Sequence, residues 1–212
     1  MALFLGLDLS TQQLKAVLLD AHSAVVHESA VHFDSDLPAY RTHNGALRGP
    51  HDGEVSSPVR MWLDAIELVL HRVKHAGVDL SAVVAISGAA QVSPSVSHGP
   101  TGPIFSQFQQ HGSVYWSDAA ATALASMDPR RPLADPGHLA PHAFALPNAP
   151  IWQDSSTTLD CAALESAAGG PQSLADLTGS RAYERFTGPQ IARVRPLSRL
   201  FHTLSSPPRS AG

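Results

Sequence analysis

The amino-terminal part of the chain alternates short apolar runs with compact polar turns. Leu3–Leu9 and Leu14–Asp20 are apolar runs separated by Ser10-Thr11-Gln12-Gln13, and Ala24–Phe33 is a third, opening after Asp20-Ala21-His22-Ser23. Runs this short with turn residues between them predict antiparallel strands in a meander. Residues 34–56 are polar, carry Gly and Pro, and predict an excursion over the surface. A helix follows: Ser57 is placed to cap it, Pro58 falls in its first turn, and Trp62, Ala65, Ile66, Val69, Leu70 and Val73 recur at helical spacing up to Gly77. Leu80–Gly88 then reads as a strand parallel to the first, since a strand, a crossover helix and a second strand form the repeating unit of parallel sheets. The fold class is therefore α/β.

Past Gly88 the texture changes. Val92–Gln109 holds three prolines, two glycines and four serines and follows neither period. Such a run cannot bury enough apolar area to offset its ordering entropy, so residues 92–109 read as an irregular insertion. Regular texture returns at Gln110–Trp116, and a small-residue helix is predicted over Ala119–Met127. Residues 128–150 read as Pro-rich loop. Trp152–Ser155 leads into a helix over Thr157–Ala168, with Leu159, Ala163 and Ala167 on one face and Gly169 as its stop. Residues 194–212 form a basic, Pro/Ser-rich tail without pattern.

Composition narrows the class. The 212 residues are 43% hydrophobic and 15% charged, enough for one real core and little for two complete domains. Formal net charge is -4, with 14 basic residues scattered among 18 acidic ones, which favours neither nucleic acid nor an anionic membrane as partner. Cys161 is the one cysteine, so no intramolecular disulfide forms. No apolar run approaches the roughly 20 residues of a membrane span, and the amino terminus lacks a signal-peptide pattern. Together these predict a soluble, cytoplasmic protein. The twelve histidines read as dispersed surface residues rather than metal ligands.

The candidate chemistry begins at Asp8, a carboxylate near the end of an apolar run, which calls for a cation, hydrogen-bond donors or water. The loop after it leaves backbone N–H groups free, and when Ser and Thr keep such a loop compact these donors wrap around phosphate oxygens. A carboxylate at its mouth holds Mg²⁺ through water, and Lys15 adds a point charge. An ordinary hairpin with a solvated aspartate is the plainer alternative, and the loop alone does not decide between them.

The order of motifs carries more. GLDLSTQQLKAV, VHFDSDLP, SSPVRMWLDAI, AISGAAQ with QHGSVYW, IWQDSSTT and LTGSRAYERFTGPQIA follow one another over most of residues 3–193. This series resembles the amino-terminal half of the actin-like sugar kinases, more narrowly the FGGY carbohydrate kinases, and within them the eukaryotic xylulokinase branch. The resemblance implies an incomplete ribonuclease-H-like (actin/hexokinase-type) domain over residues 1–193. It implies ATP and Mg²⁺ as cofactors and D-xylulose as the sugar. Asp8, Ser10, Thr11 and Gln12, with Lys15, would face the Mg-ATP phosphates, and Asp8 would hold Mg²⁺ through water. Gln110, His111 and Arg185 would contact the sugar, with Trp152 and Asp154 nearby. Imidazole and guanidinium donate to sugar hydroxyls with fixed geometry, and an indole face suits C–H groups. Resemblance apart, Arg185 beside Glu184 reads as a surface pair and Trp152 as a core residue.

Two departures bear on function. The family runs Gly-Ala-Gln straight into Gln-His-Gly, whereas here residues 92–109 stand between Gln91 and Gln110. They are either a surface loop or the translation of a retained in-frame intron, and an RNA pool in which every transcript carries these codons counts against the intron. The resemblance also fades after Arg193, which places the general-base Asp and the adenine-binding region beyond residue 212 and implies that the chain alone is inactive. The alternatives are a non-catalytic sugar-binding remnant and an FGGY kinase for another sugar or polyol.

Overall fold

The computed structural model describes residues 2–90, 114–117, 119–135, 138–139 and 143–194. The insertion at 92–109, Gln110, His111 and all of the tail but Val194 lie outside them.

Three strands form the expected meander: β1 (Leu3–Leu9), β2 (Gln13–Leu19) and β3 (Val25–His32), with both neighbouring pairs antiparallel. Alternation assigns their faces. Leu3 and Leu5 of β1, Leu14, Ala16 and Leu18 of β2, and Val31 of β3 are buried, as period-two patterning requires of a sheet covered on one side. A short helix, α1 (Phe33–Asp36), buries Phe33, and a two-strand ribbon follows from β4 (Leu47–Arg48) and β5 (Val55–Pro58). The surface excursion predicted over 34–56 thus contains small elements of its own.

Helix α2 (Val59–His75) lies across β2 and β3 and buries Met61, Trp62, Ala65, Val69 and Val73. Ile66 and Leu70 pack at the margin of this core. Gly77 follows the helix at φ +83, a left-handed conformation that suits glycine. The predicted cap is corrected: Ser57 belongs to β5, its Oγ donates to the Gly45 carbonyl at 2.9 Å, and Pro58 occupies the N-cap position without a side-chain cap. Strand pairing takes Ser57 away from the helix, because β5 continues through Pro58 alongside β7 (Asn148–Pro150).

After α2 the chain crosses to β6 (Val83–Ala90), which pairs parallel to β1 and gives the sheet order β3-β2-β1-β6. Among the described residues β6 is an edge strand. Ile86 stands beside Leu5 in register, yet Ile86 is 68% exposed and Leu5 4%, and Val84 is 64% exposed. The α2 cover therefore stops short of β6.

Beyond the first sheet, α3 (Ala120–Ala125) and α4 (Thr158–Ala167) fall within their predicted ranges, and α5 (Pro171–Thr178) was not foreseen. The face assigned to α4 is corrected: Leu159 is 84% exposed, Ala163 and Ala167 are exposed, and the residue it buries is Cys161. Two alanines and one leucine bury too little area to fix the orientation of a helix. The loop expected over 128–150 ends in β7, whose three residues are too few to show a period.

Candidate functional site

The hairpin between β1 and β2 is braced from within and from behind. The Ser10 amide and hydroxyl both donate to the Gln13 carbonyl, at 2.9 Å and 3.2 Å. The Phe33 amide donates to the Gln12 carbonyl at 3.0 Å. Gly45 presses on it from behind, at φ +75, where a Cβ would lie 1.8 Å from the Thr11 carbonyl oxygen, so no side chain fits. The turn that carries Gly45 is pinned by Asp34, whose carboxylate accepts from Thr42 Oγ at 2.7 Å and from the Gly45 amide at 3.0 Å. Burial pushes the Asp34 carboxyl up, but the bonds from Thr42, Gly45 and Asn44 outweigh it and hold the group below its ordinary value. None of these supports was singled out from sequence, although Asn44-Gly45 is a turn dipeptide that could have pointed to them.

Bracing uses the Ser10 donors and the Gln12 and Gln13 carbonyls and leaves the two amides at the tip. Among the described residues the Thr11 and Gln12 amides have no acceptor, the Gln12 side chain is exposed, and Asp8 is exposed at the mouth of the loop. Asp8 is therefore a wet carboxylate rather than a buried one. Lys15 lies directly across the ladder from it, and its Nζ stands 3.8 Å from Glu28 Oε2, a loose pair between half-exposed side chains. Two free amides with a carboxylate and an ammonium beside them suit the oxygens of a phosphate and a hydrated Mg²⁺.

The second cluster comes from residues 151–158. The Ile151 amide donates to the Val55 carbonyl at 3.2 Å, and the Asp154 amide closes a turn on the Ile151 carbonyl at 2.8 Å. Asp154 is 4% exposed. Its Oδ2 accepts from the Val55 amide at 2.8 Å, and its Oδ1 from the Ser156 amide and hydroxyl at 3.1 Å and 2.8 Å. It thus clamps the chain instead of standing open to a sugar. Trp152, on the same turn, is 40% exposed, not the core residue of the plainer reading, and its indole N–H donates to Thr11 Oγ1 at 3.0 Å. Two residues assigned to different subsites therefore touch.

Arg185 makes no ion pair with Glu184 among the described residues; its guanidinium lies over the Tyr183 ring, 4.8 Å from the centroid. Glu184 faces the other way, its carbonyl accepting from Thr157 Oγ at 2.7 Å and its carboxylate from Thr158 Oγ at 3.3 Å. The Arg185 segment is thereby tied to the start of α4, while no described hydrogen bond joins it to the Thr11–Trp152 pair. Gln110 and His111 lie outside the described residues.

The dispersed-histidine reading overlooked one pair. His71 and His75 stand one turn apart on α2 with ring centroids 4.2 Å apart, and no group of three potential ligands exists among the described residues.

No family model matches the chain. Xylulose kinase 2 of Arabidopsis thaliana is 43% identical over 194 residues, covering 91% of this chain and 31% of that protein. The xylulose kinase of Mus musculus is 46% identical over 190 residues, covering 90% and 31%, and that of Schizosaccharomyces pombe 47% over 195, covering 92% and 31%. Over about nine tenths of its length the chain is thus similar to xylulose kinases. It spans about 31% of the length of these relatives. Among solved structures, the "xyloylose kinase" of Brucella ovis superposes with a TM-score of 0.60 at 18% identity, over 94% of this chain and 30% of that one. The xylulose kinase of Rhodospirillum rubrum gives 0.55 at 17%, over 92% and 30%. At such identities the likeness is one of fold, the actin-like ATPase fold of FGGY kinases, which agrees with the incomplete ribonuclease-H-like domain expected from the motifs. Among the described residues, no helix is long and apolar enough to cross a membrane.

Proposed function

We propose that the whole protein to which these residues belong transfers the γ-phosphoryl group of Mg-ATP to the 5-hydroxyl of D-xylulose, giving D-xylulose 5-phosphate. The observation that carries this reading is the braced Ser10–Gln13 hairpin, with its Thr11 and Gln12 amides free of acceptors, in a chain 43–47% identical to xylulose kinases. In phosphoryl transfer a protein mainly positions reactants and balances charge. Here the two amides would hold phosphate oxygens, Asp8 would hold Mg²⁺ through water, and Lys15 would add positive charge. The metal would supply neutralisation of the phosphate charge. Rigidity suits this task, because donors already in place need no reorganisation when charge shifts.

On the sugar side, Gln110, His111 and Arg185 carry the proposed contacts. Trp152 presents a half-exposed indole face there, while Asp154 shapes the turn from beneath. A cytoplasmic setting goes with this reading, since the single cysteine leaves no intramolecular disulfide. Coupled measurement of ADP release tests it. The whole protein is expected to turn over D-xylulose in preference to ribulose or glycerol. The 212 residues alone are expected to release no sugar-dependent ADP, because they span only about 31% of the length of those relatives. Preference for ribulose or glycerol would replace the substrate, and turnover by the 212 residues alone would overturn their inactivity.

A further inference from the structure

Of the three tryptophans, Trp116 and Trp152 stand partly open, at 46% and 40% exposure. Trp62, the tryptophan of the α2 core, is 6% exposed, whereas Trp152 keeps 40% of its surface open and directs its N–H at the tip of a hairpin 141 residues away in sequence. Its backbone is not free to choose this. Ile151 is laddered to Val55, and Asp154 grips the Val55 amide, so the turn that carries the indole is fixed to β5 from both sides. An indole nitrogen can only donate, so in this contact Thr11 Oγ1 must accept. Among the described residues the Thr11 hydroxyl has no acceptor for its own proton. With one lone pair held by Trp152, that proton is confined to the remaining directions around the oxygen.

We infer that Trp152 is a positioning residue for the nucleotide hairpin, holding the Thr11 hydroxyl as an acceptor so that its proton is presented to a phosphate oxygen. This rests on the reading of the hairpin as the phosphate site. A freely rotating hydroxyl would have to be ordered at the moment of binding, whereas one already held does not, and the gain appears as affinity. The same contact ties two distant segments together: the indole nitrogen is committed to the hairpin while the residue as a whole stays 40% exposed.

Nuclear magnetic resonance on the 212-residue chain tests this, since three tryptophans give three indole N–H signals and Trp152→Phe assigns the one in question. Thr11→Val is expected to move that signal upfield and speed its exchange with water, while Thr11→Ser leaves it in place. Magnesium tripolyphosphate, which carries the phosphates without the adenine, is the ligand probe, read at the indole and at the Ser10–Gln13 amides. Wild type is expected to respond at both, and Trp152→Phe and Thr11→Val to weaken the amide response roughly fivefold, the worth of one hydrogen bond. Thr11→Ser, which keeps the hydroxyl, is expected to retain it. Should Trp152→Phe disturb the fold, the Trp62 indole signal reports it and the Thr11 pair still decides. An indole signal indifferent to Thr11→Val overturns the inference while an amide response keeps the phosphate reading. Hairpin amides that respond equally in wild type and Thr11→Val also overturn the inference alone. No response to magnesium tripolyphosphate at either place overturns both.

Discussion

Single side chains decide whether the turns that matter hold their shape. Asp154 makes the strongest case, because its buried carboxylate ties its own turn, through Ser156, to Val55, 99 residues from it in sequence. Asp154→Ala leaves the Val55 amide buried without an acceptor, and urea denaturation should show a loss of about 1–3 kcal/mol. The Trp152 indole should also lose its contact with Thr11, visible as a change in its amide-region signal. Asp36 gives a pH signature. The bond from Arg72, assisted by the His32 amide, holds its carboxyl below the ordinary aspartate value, although burial opposes them. Since the folded value is the lower one, the contribution is present above the unfolded value of about 3.9 and disappears as pH falls through the folded value. Both side chains are partly exposed, so the pair is screened and its share of stability is modest. Acid titration of Asp36→Asn against wild type should give stability curves that separate at neutral pH and converge in strong acid. Parallel curves throughout would rule out this pair as a source of acid sensitivity.

At the scale of elements, α2 and α4 invite opposite expectations. Val69 is fully buried against the sheet, so Val69→Ala should cost about 1–3 kcal/mol, whereas Leu159→Glu on α4, at an 84% exposed position, should stay within about 0.5 kcal/mol. Thermal unfolding of both variants checks the pair, and a large loss from Leu159→Glu would contradict the exposed face. The contrast explains what could be read in advance. The meander and α2 were legible because many large apolar residues repeat with one period against one partner surface. Helix α4 was legible as a helix but not in its orientation, since alanines carry little signal about which side is inward. The three residues of β7 and the hydroxyl of Ser57 were not legible, because their partners lie far away in sequence: Ala149 opposite Ser57, and Gly45 for its Oγ. The same holds at the site. Thr11 was placed in the hairpin by its neighbours, but its bond to Trp152 exists only once two distant segments have met.

For the molecule as a whole, the first sheet ends, among the described residues, on a strand with an apolar exposed row. An edge whose backbone groups are open, carrying Val84 at 64% and Ile86 at 68% exposure, is a template for pairing with another chain. The 212 residues are therefore expected to self-associate on concentration, and the double variant Val84→Lys, Ile86→Lys to remain dispersed in light scattering with its melting temperature little changed. Equal scattering from both proteins would exonerate this edge. The Thr11–Trp152 contact has a consequence in time as well as in space. A ribosome that emits the hairpin must add 141 further residues before the indole is made, which at ordinary synthesis speeds takes on the order of ten seconds. Throughout that interval the nascent hairpin can already fold on its neighbours, but its hydroxyl stays unclaimed, so the grip proposed for it on a nucleotide matures only once the second segment is made.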